Sequence, residues 1–246
     1  MRAQLRSELV KVRSTRTSLG LLGAMIGLVL LLVLLYGLAV DSSELVKEEH
    51  QRVMLGLGLA GGFVAALIGV MSITSEFRHG TIRPTFVFTP RRGRVLAAKV
   101  ITTAAVGAVF GLLTEALALG VGIGILAARG VDLVLSPPDL VLLALGSVAA
   151  AALLAALGVG VGAVLRNQVL AVIGFVVWFM LVENLVVNLA SGVGKFFPLA
   201  AADALSGVKG VDAQALSAPQ GGLLLIGYVL LFFGAGLLVT KRSDVK

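Results

Sequence analysis

Apolar residues run along this chain in long blocks broken by short polar connections. A helix rising about 1.5 Å per residue needs roughly 20 apolar residues to cross the hydrocarbon core of a membrane, where its backbone must satisfy its own hydrogen bonds. Six blocks reach that length, at 19–40, 53–74, 96–127, 140–165, 169–189 and 221–240. The third is longer than a crossing requires, so its first turns should project beyond the membrane. Arg166-Asn167-Gln168, between the fourth and fifth, leaves room only for a tight hairpin. The first block is too long for a signal-peptide core and lacks a small-residue cleavage site before the next, which makes it a retained helix. The expected fold is all-α: a polytopic membrane protein of six transmembrane helices forming one domain over 1–246.

Composition agrees with lipid as the solvent. Of the 246 residues 58% are hydrophobic and 13% charged, too few polar groups for a water-facing surface. The net charge of +7 sits in the connections rather than on a polar domain, so anionic lipid headgroups, not nucleic acid, are the expected counter-charge. The absence of cysteine excludes disulfides, thiolate metal sites and cysteine nucleophiles, and two histidines, His50 and His79, do not make a haem or metal centre. Abundant Ala, Val, Gly and Leu with little Lys and Asn hint at a GC-rich bacterial genome.

Charge placement sets the orientation. The amino-terminal tail, the 75–95 loop with Lys99, Arg166 and the carboxyl-terminal tail hold 15 of the 20 Lys and Arg; the opposite connections hold Lys47, Arg52, Arg129, Lys195 and Lys209, with most of the acids. The basic side is expected to be cytoplasmic, with both ends of the chain on it, in a bacterial cytoplasmic membrane. Small-xxx-small pairs at Gly23/Gly27, Gly58/Gly62, Gly107/Gly111, Gly120/Gly124 and Gly158/Gly162 argue for a closely packed bundle.

The 75–95 loop carries two helix starts. Gly80-Thr81 places a hydroxyl cap before Ile82, Arg83 and Pro84, predicting a short helix to Phe88; Thr89 then caps a second helix with Pro90 in its first turn, running through Arg91, Arg92 and Arg94 into the third span. Phe86, Val87 and Phe88 put apolar groups on a water-side helix, which calls for a partner: the headgroup boundary or a groove on another protein. Residues 1–17 put Leu5, Leu9 and Val12 on one helical face beside Arg2, Arg6 and Arg13, as in a helix lying at headgroup level, or as a simple basic anchor.

The run Glu76-Phe77-Arg78-His79-Gly80-Thr81, a short helix, then Thr89-Pro90-Arg91-Arg92-Gly93-Arg94 and Lys99 resembles the loop of type-2 ATP-binding-cassette (ABC) transporter permeases whose permease and ATPase are separate chains. The likeness extends to the basic amino-terminal helix, the six spans and the longer segment before the last. It implies that the loop is a coupling helix docking into the nucleotide-binding subunit, with Glu76, Arg78, His79, Gly80, Thr81, Ile82, Arg83, Pro84, Thr85 and Phe86 in that contact. Pro90, Arg91, Arg92 and Arg94 would position the third span. It also implies two copies of an ABC ATPase holding ATP and Mg, with no cofactor on this chain, and a second permease copy or related permease completing an exporter for a drug, antimicrobial peptide or lipid-like substrate. In such permeases, helices re-entering the outer leaflet close the exit, and residues 190–220, with Phe196, Phe197, Pro198 and Leu199 to Leu205, read as such a helix or as an ordinary amphipathic loop.

Of the polar residues within the blocks, Glu115, Glu183 and Asn184 are the candidates for a translocation path. Glu115, near the middle of the third span, would cost roughly 2.5 to 3.5 kcal/mol if ionised there, so it should face the bundle interior as a protonated carboxyl bonded to a neighbouring helix, or else serve the substrate path or carry a proton. Glu183 and Asn184, towards the end of the fifth span, either line an outer vestibule or meet water. The chain has no Gly-x-x-x-x-Gly-Lys-Ser/Thr loop and so cannot hydrolyse ATP itself. A membrane enzyme would need clustered His, Asp, Glu or Ser at one depth; an ATP-independent secondary transporter or channel using Glu115 is the other alternative.

Overall fold

In the computed structural model of the chain, Glu8 and residues 16–82, 92–208 and 216–242 are described. All regular structure among them is helical. The first helix, α1 (Arg16–Ala39), is followed by a single short turn, α2 (Ser42–Leu45), and by α3 (Glu48–Leu55), which runs through a tightened 3-10 turn at Gly56–Leu59 into α4 (Ala60–Arg78). Then come α5 (Arg92–Ala128) and α6 (Pro137–Leu165). The fifth span is α7 (Gln168–Val177), a π turn at Trp178–Val182 and α8 (Glu183–Leu189); α9 (Ser191–Gly194) and α10 (Pro198–Ser206) lead to α11 (Ala218–Arg242).

Six helices are long and apolar enough to cross a membrane: Gly20–Ala39, Glu48–Arg78, Arg92–Ala128, Pro137–Leu165, Gln168–Leu189 and Ala218–Thr240. All but the first begin earlier than their apolar blocks. The second starts at Glu48 because polar side chains in its first turns find partners: Gln51, fully buried, donates to the carbonyls of Leu45 (2.9 Å) and Asp132 (2.8 Å) and accepts from the amide of Val134 (2.9 Å). The fourth starts at Pro137 because Ser136 and Asp139 form a reciprocal capping box around a first-turn proline. Between the fourth and fifth spans the tight hairpin is made by Arg166 in the left-handed region (φ 55°) and by Asn167, whose side chain caps α7 at the amide of Leu170.

α6 is the centre of the bundle. It packs on α4, α5 and α11, and its backbone nearly touches that of α4: a β-carbon added at Gly69 would stand 2.1 Å from the carbonyl oxygen of Ala155, and one at Gly158 the same distance from that of Ala66. Of the five glycine pairs, Gly58/Gly62, Gly107/Gly111 and Gly158/Gly162 are close contacts; Gly23/Gly27 and Gly120/Gly124 face nothing within 4 Å among the described residues. Phe63, Phe175 and Phe179 join α4 to the fifth span, with the last two stacked at 4.2 Å between centroids. α10 is sunk into the bundle at the end opposite the basic loop, its Ala201 and Ala202 fully buried; within 190–220, which reads as a helix or as a loop, Pro198–Ser206 is helical.

Candidate functional site

The end of the bundle carrying the basic connections is built around Lys99. This lysine, in the second turn of α5, is 1% exposed. Its Nζ donates to Glu76 Oε1 at 2.7 Å, to Glu8 Oε2 at 2.7 Å and to the Ser72 carbonyl at 3.2 Å, which uses all three of its hydrogens. Glu76 is itself buried, so the helical stretch that ends α4 turns its glutamate inward while Arg78, His79, Gly80 and Thr81 are exposed. Helix α4 stops there because Gly80 takes a positive φ of 69°, and His79 Nδ1 lies 2.8 Å from the Ser75 carbonyl. Ile82 is helical and 3% exposed. Arg83, Pro84, Thr85, Phe86, Pro90 and Arg91, like the amphipathic 1–17 stretch apart from Glu8 and the start of α1, lie outside the described residues.

Neighbouring arginines brace this end. Arg78 donates to Gln168 Oε1 at 3.3 Å, joining the second span to the start of the fifth. Arg92 donates to the Thr240 carbonyl in the last turn of α11, where a cation also opposes the negative end of the helix dipole. Arg166 lies over the ring of Phe77, 5.4 Å from its centroid. Burial and, next, the charge of Arg92 hold its guanidinium below its ordinary pKa. Arg94 is exposed.

The in-membrane carboxylates have separate roles. Glu115, 1% exposed, lies against the 3-10 turn: a β-carbon at Gly58 would be 2.3 Å from its Oε2. Neither of its oxygens makes a hydrogen bond of ordinary geometry among the described residues, and the buried hydroxyl of Ser147 on α6 is the polar group beside it. Glu183, also 1% exposed, accepts from the amides of Leu199 (2.5 Å) and Ala200 (2.9 Å), so it caps the amino terminus of α10. Reading the sequence one helix at a time missed this bond; Pro198, a helix-starting residue with no capping side chain just before it, was the available signal. Asn184 Nδ2 donates to the carbonyls of Phe179 (3.0 Å) and Met180 (3.3 Å), within the π turn.

A cavity of about 510 Å³ opens between the first, second and fifth spans and α10. Its walls include Leu28 and Leu32 of α1, the 3-10 residues Gly56 and Leu57, and Phe179, Met180 and Asn184 at the π turn; Leu199 and Asp203 of α10 border it. Two departures from regular helix thus face one apolar space. Asn184 lines it; Glu115 and Glu183 are not among its lining residues. No group of three or more metal-binding side chains occurs among the described residues.

Among curated proteins, none matches the chain. The family model described as ABC-2 family transporter protein matches residues 4–183, from the amino-terminal segment through the loop after α4 to the first residue of α8. With six membrane-length helices, a basic loop between the second and third, and a family match over most of its length, this chain belongs to the ABC-2 transporter family, as a multi-pass membrane permease subunit of an ABC transporter.

Proposed function

We propose that this permease is the membrane half of an ATP-driven exporter in a bacterial cytoplasmic membrane. Two ABC ATPase copies, carrying ATP and Mg, work on the 79–91 loop from the cytoplasm, and a second copy of this chain, or a related permease, completes the pathway. The observation that carries the reading is the base of that loop. Its roots, α4 and α5, are joined by the buried Glu76–Lys99 pair, while Arg78 to Thr81 stand exposed. An exposed segment on a stiff base is suited to pass on a push. Its charge supports a cytoplasmic location.

Export acts on the cavity beside the 3-10 and π turns. Tight and wide turns inside spans mark places where helices can change their packing, and the cavity walls suit an apolar or amphipathic substrate such as a drug, a peptide antibiotic or a lipid. ATP closure would shift the bundle between states that expose this space to one side or the other, driven by the ATPase's different affinity for the two.

The test is recruitment. A tagged chain drawn from its native membrane should bring an ABC ATPase with it, and a Thr81→Ala/Phe86→Ala double variant should reduce that ATPase at least tenfold with unchanged permease yield. Absence of any ATPase, or full retention by the double variant, refutes the reading. A complex without ATPase that nevertheless loses transport in Glu115→Gln would favour an ion-coupled carrier instead.

A further inference from the structure

Lys99 joins three parts of the chain far apart in sequence. Glu8 lies 91 residues away, Glu76 lies 23 away and Ser72 lies 27 away. The lysine is 1% exposed and the side chains of its two acids 11% and 8%, so the contact is shielded from water and from salt. An ionic cluster of this kind is not needed to hold helices together, because well-packed apolar groups do so at no lower stability. It does favour one arrangement, since moving any member leaves a buried charge behind.

Position gives that property a use. Glu76 comes just before the exposed residues Arg78 to Thr81 and Lys99 soon after the 79–91 loop, so the cluster sits at both roots of the segment on which, by the function proposed above, an ATPase acts. Two other polar links at this end, Arg78 to Gln168 and Arg92 to the Thr240 carbonyl, run to the fifth and sixth spans. Lys99 reaches the amino-terminal segment, at Glu8.

We propose that Lys99 is a positioning clamp that fastens the amino-terminal segment, through Glu8, to the base of the second and third spans, so that force on the 79–91 loop moves all three as one body. Loosening the clamp frees the amino-terminal segment and uncouples the membrane cavity from nucleotide closure, while the ATPase stays bound through the loop.

Two measurements test it. In inside-out vesicles, trypsin should cut at Lys11, Arg13 or Arg16 at least five times faster in Lys99→Met and in Glu8→Gln than in the native chain, and Lys99→Arg, which keeps the charge, should restore at least half of the protection. Glu8→Gln keeps side-chain shape and the Glu76 pair, and decides the matter if Lys99→Met fails to insert. Equal cutting in Glu8→Gln and the native chain overturns the clamp.

The second measurement uses the absence of native cysteine. Leu28→Cys, labelled with an environment-sensitive bimane, reports on the cavity when Mg-ATP and vanadate are added to the complex with its co-purified ATPase. Glu8→Gln should retain that ATPase within twofold yet lose at least nine-tenths of the fluorescence response. The Glu8→Gln/Lys99→Met double variant should be no worse than Lys99→Met. An undiminished response, or one that falls only in step with ATPase retention, overturns the coupling role. A chain that recruits no ATPase refutes the proposed function and this coupling with it, while the digestion still decides the clamp.

Discussion

At the scale of single residues, the buried acids of this protein divide by what their oxygens meet. Glu183 caps a helix and should be costly to replace: Glu183→Leu strands two partly buried amides and removes a favourable charge at a helix start, a loss of about 2–4 kcal/mol. Glu183→Gln keeps an acceptor and should lose about half as much; thermal unfolding in detergent, with proteolysis of the α10 region, distinguishes them. Glu115 makes no ordinary hydrogen bond among the described residues and lies against Gly58 and the Ser147 hydroxyl. Glu115→Gln, of the same shape and uncharged, should therefore leave both the unfolding midpoint and the vanadate response nearly unchanged. Glycines divide similarly by what they touch. Gly158→Ala drives a methyl into the Ala66 carbonyl and should destabilise by about 1–3 kcal/mol, whereas Gly120→Ala, with nothing within 4 Å, should change stability by less than about 1 kcal/mol and raise helix propensity.

At the scale of elements, the fifth span is the informative one. Its apolar block predicts an uninterrupted helix, but the structure widens one turn at Trp178–Val182, and Asn184 donates to two carbonyls there. A π turn takes up one extra residue in a single wide turn, so deleting Leu181 should restore a regular helix with Glu183 still facing α10. The deletion should then leave the proteolytic protection of the α10 region near native, unlike Glu183→Leu, with the α4–α6 core intact as judged by its folded yield. The loop after α4 behaves differently. Gly80 has no described residue within 4 Å of where a β-carbon would go, so Gly80→Ala acts through its positive φ, at a cost of about 1–2 kcal/mol. That local strain should weaken ATPase recruitment without altering the unfolding of the spans.

At the scale of the whole molecule, orientation can be checked directly because the chain has no cysteine. Single cysteines at His79 and Asn167 should react with a membrane-impermeant maleimide only in inside-out vesicles, and those at Ser43 and Ser217 only in intact cells. The opposite pattern would reverse the assignment of the basic end to the cytoplasm. Much of this level was legible from the chain itself. Six crossings, their approximate limits and the hairpin at Arg166 follow from block length, turn chemistry and charge, which are properties of adjacent residues and their solvent. A membrane makes these readable because every span must satisfy its own backbone within a fixed thickness. Tertiary structure alone decided which three of five glycine pairs are contacts, that Glu183 caps α10, that Lys99 gathers Glu8 and Glu76, and that the 3-10 and π turns face one cavity. Each depends on which helix lies beside which and at what rotation. In lipid that choice is made by close packing and buried polar pairing between distant segments, and no local pattern in the sequence records it.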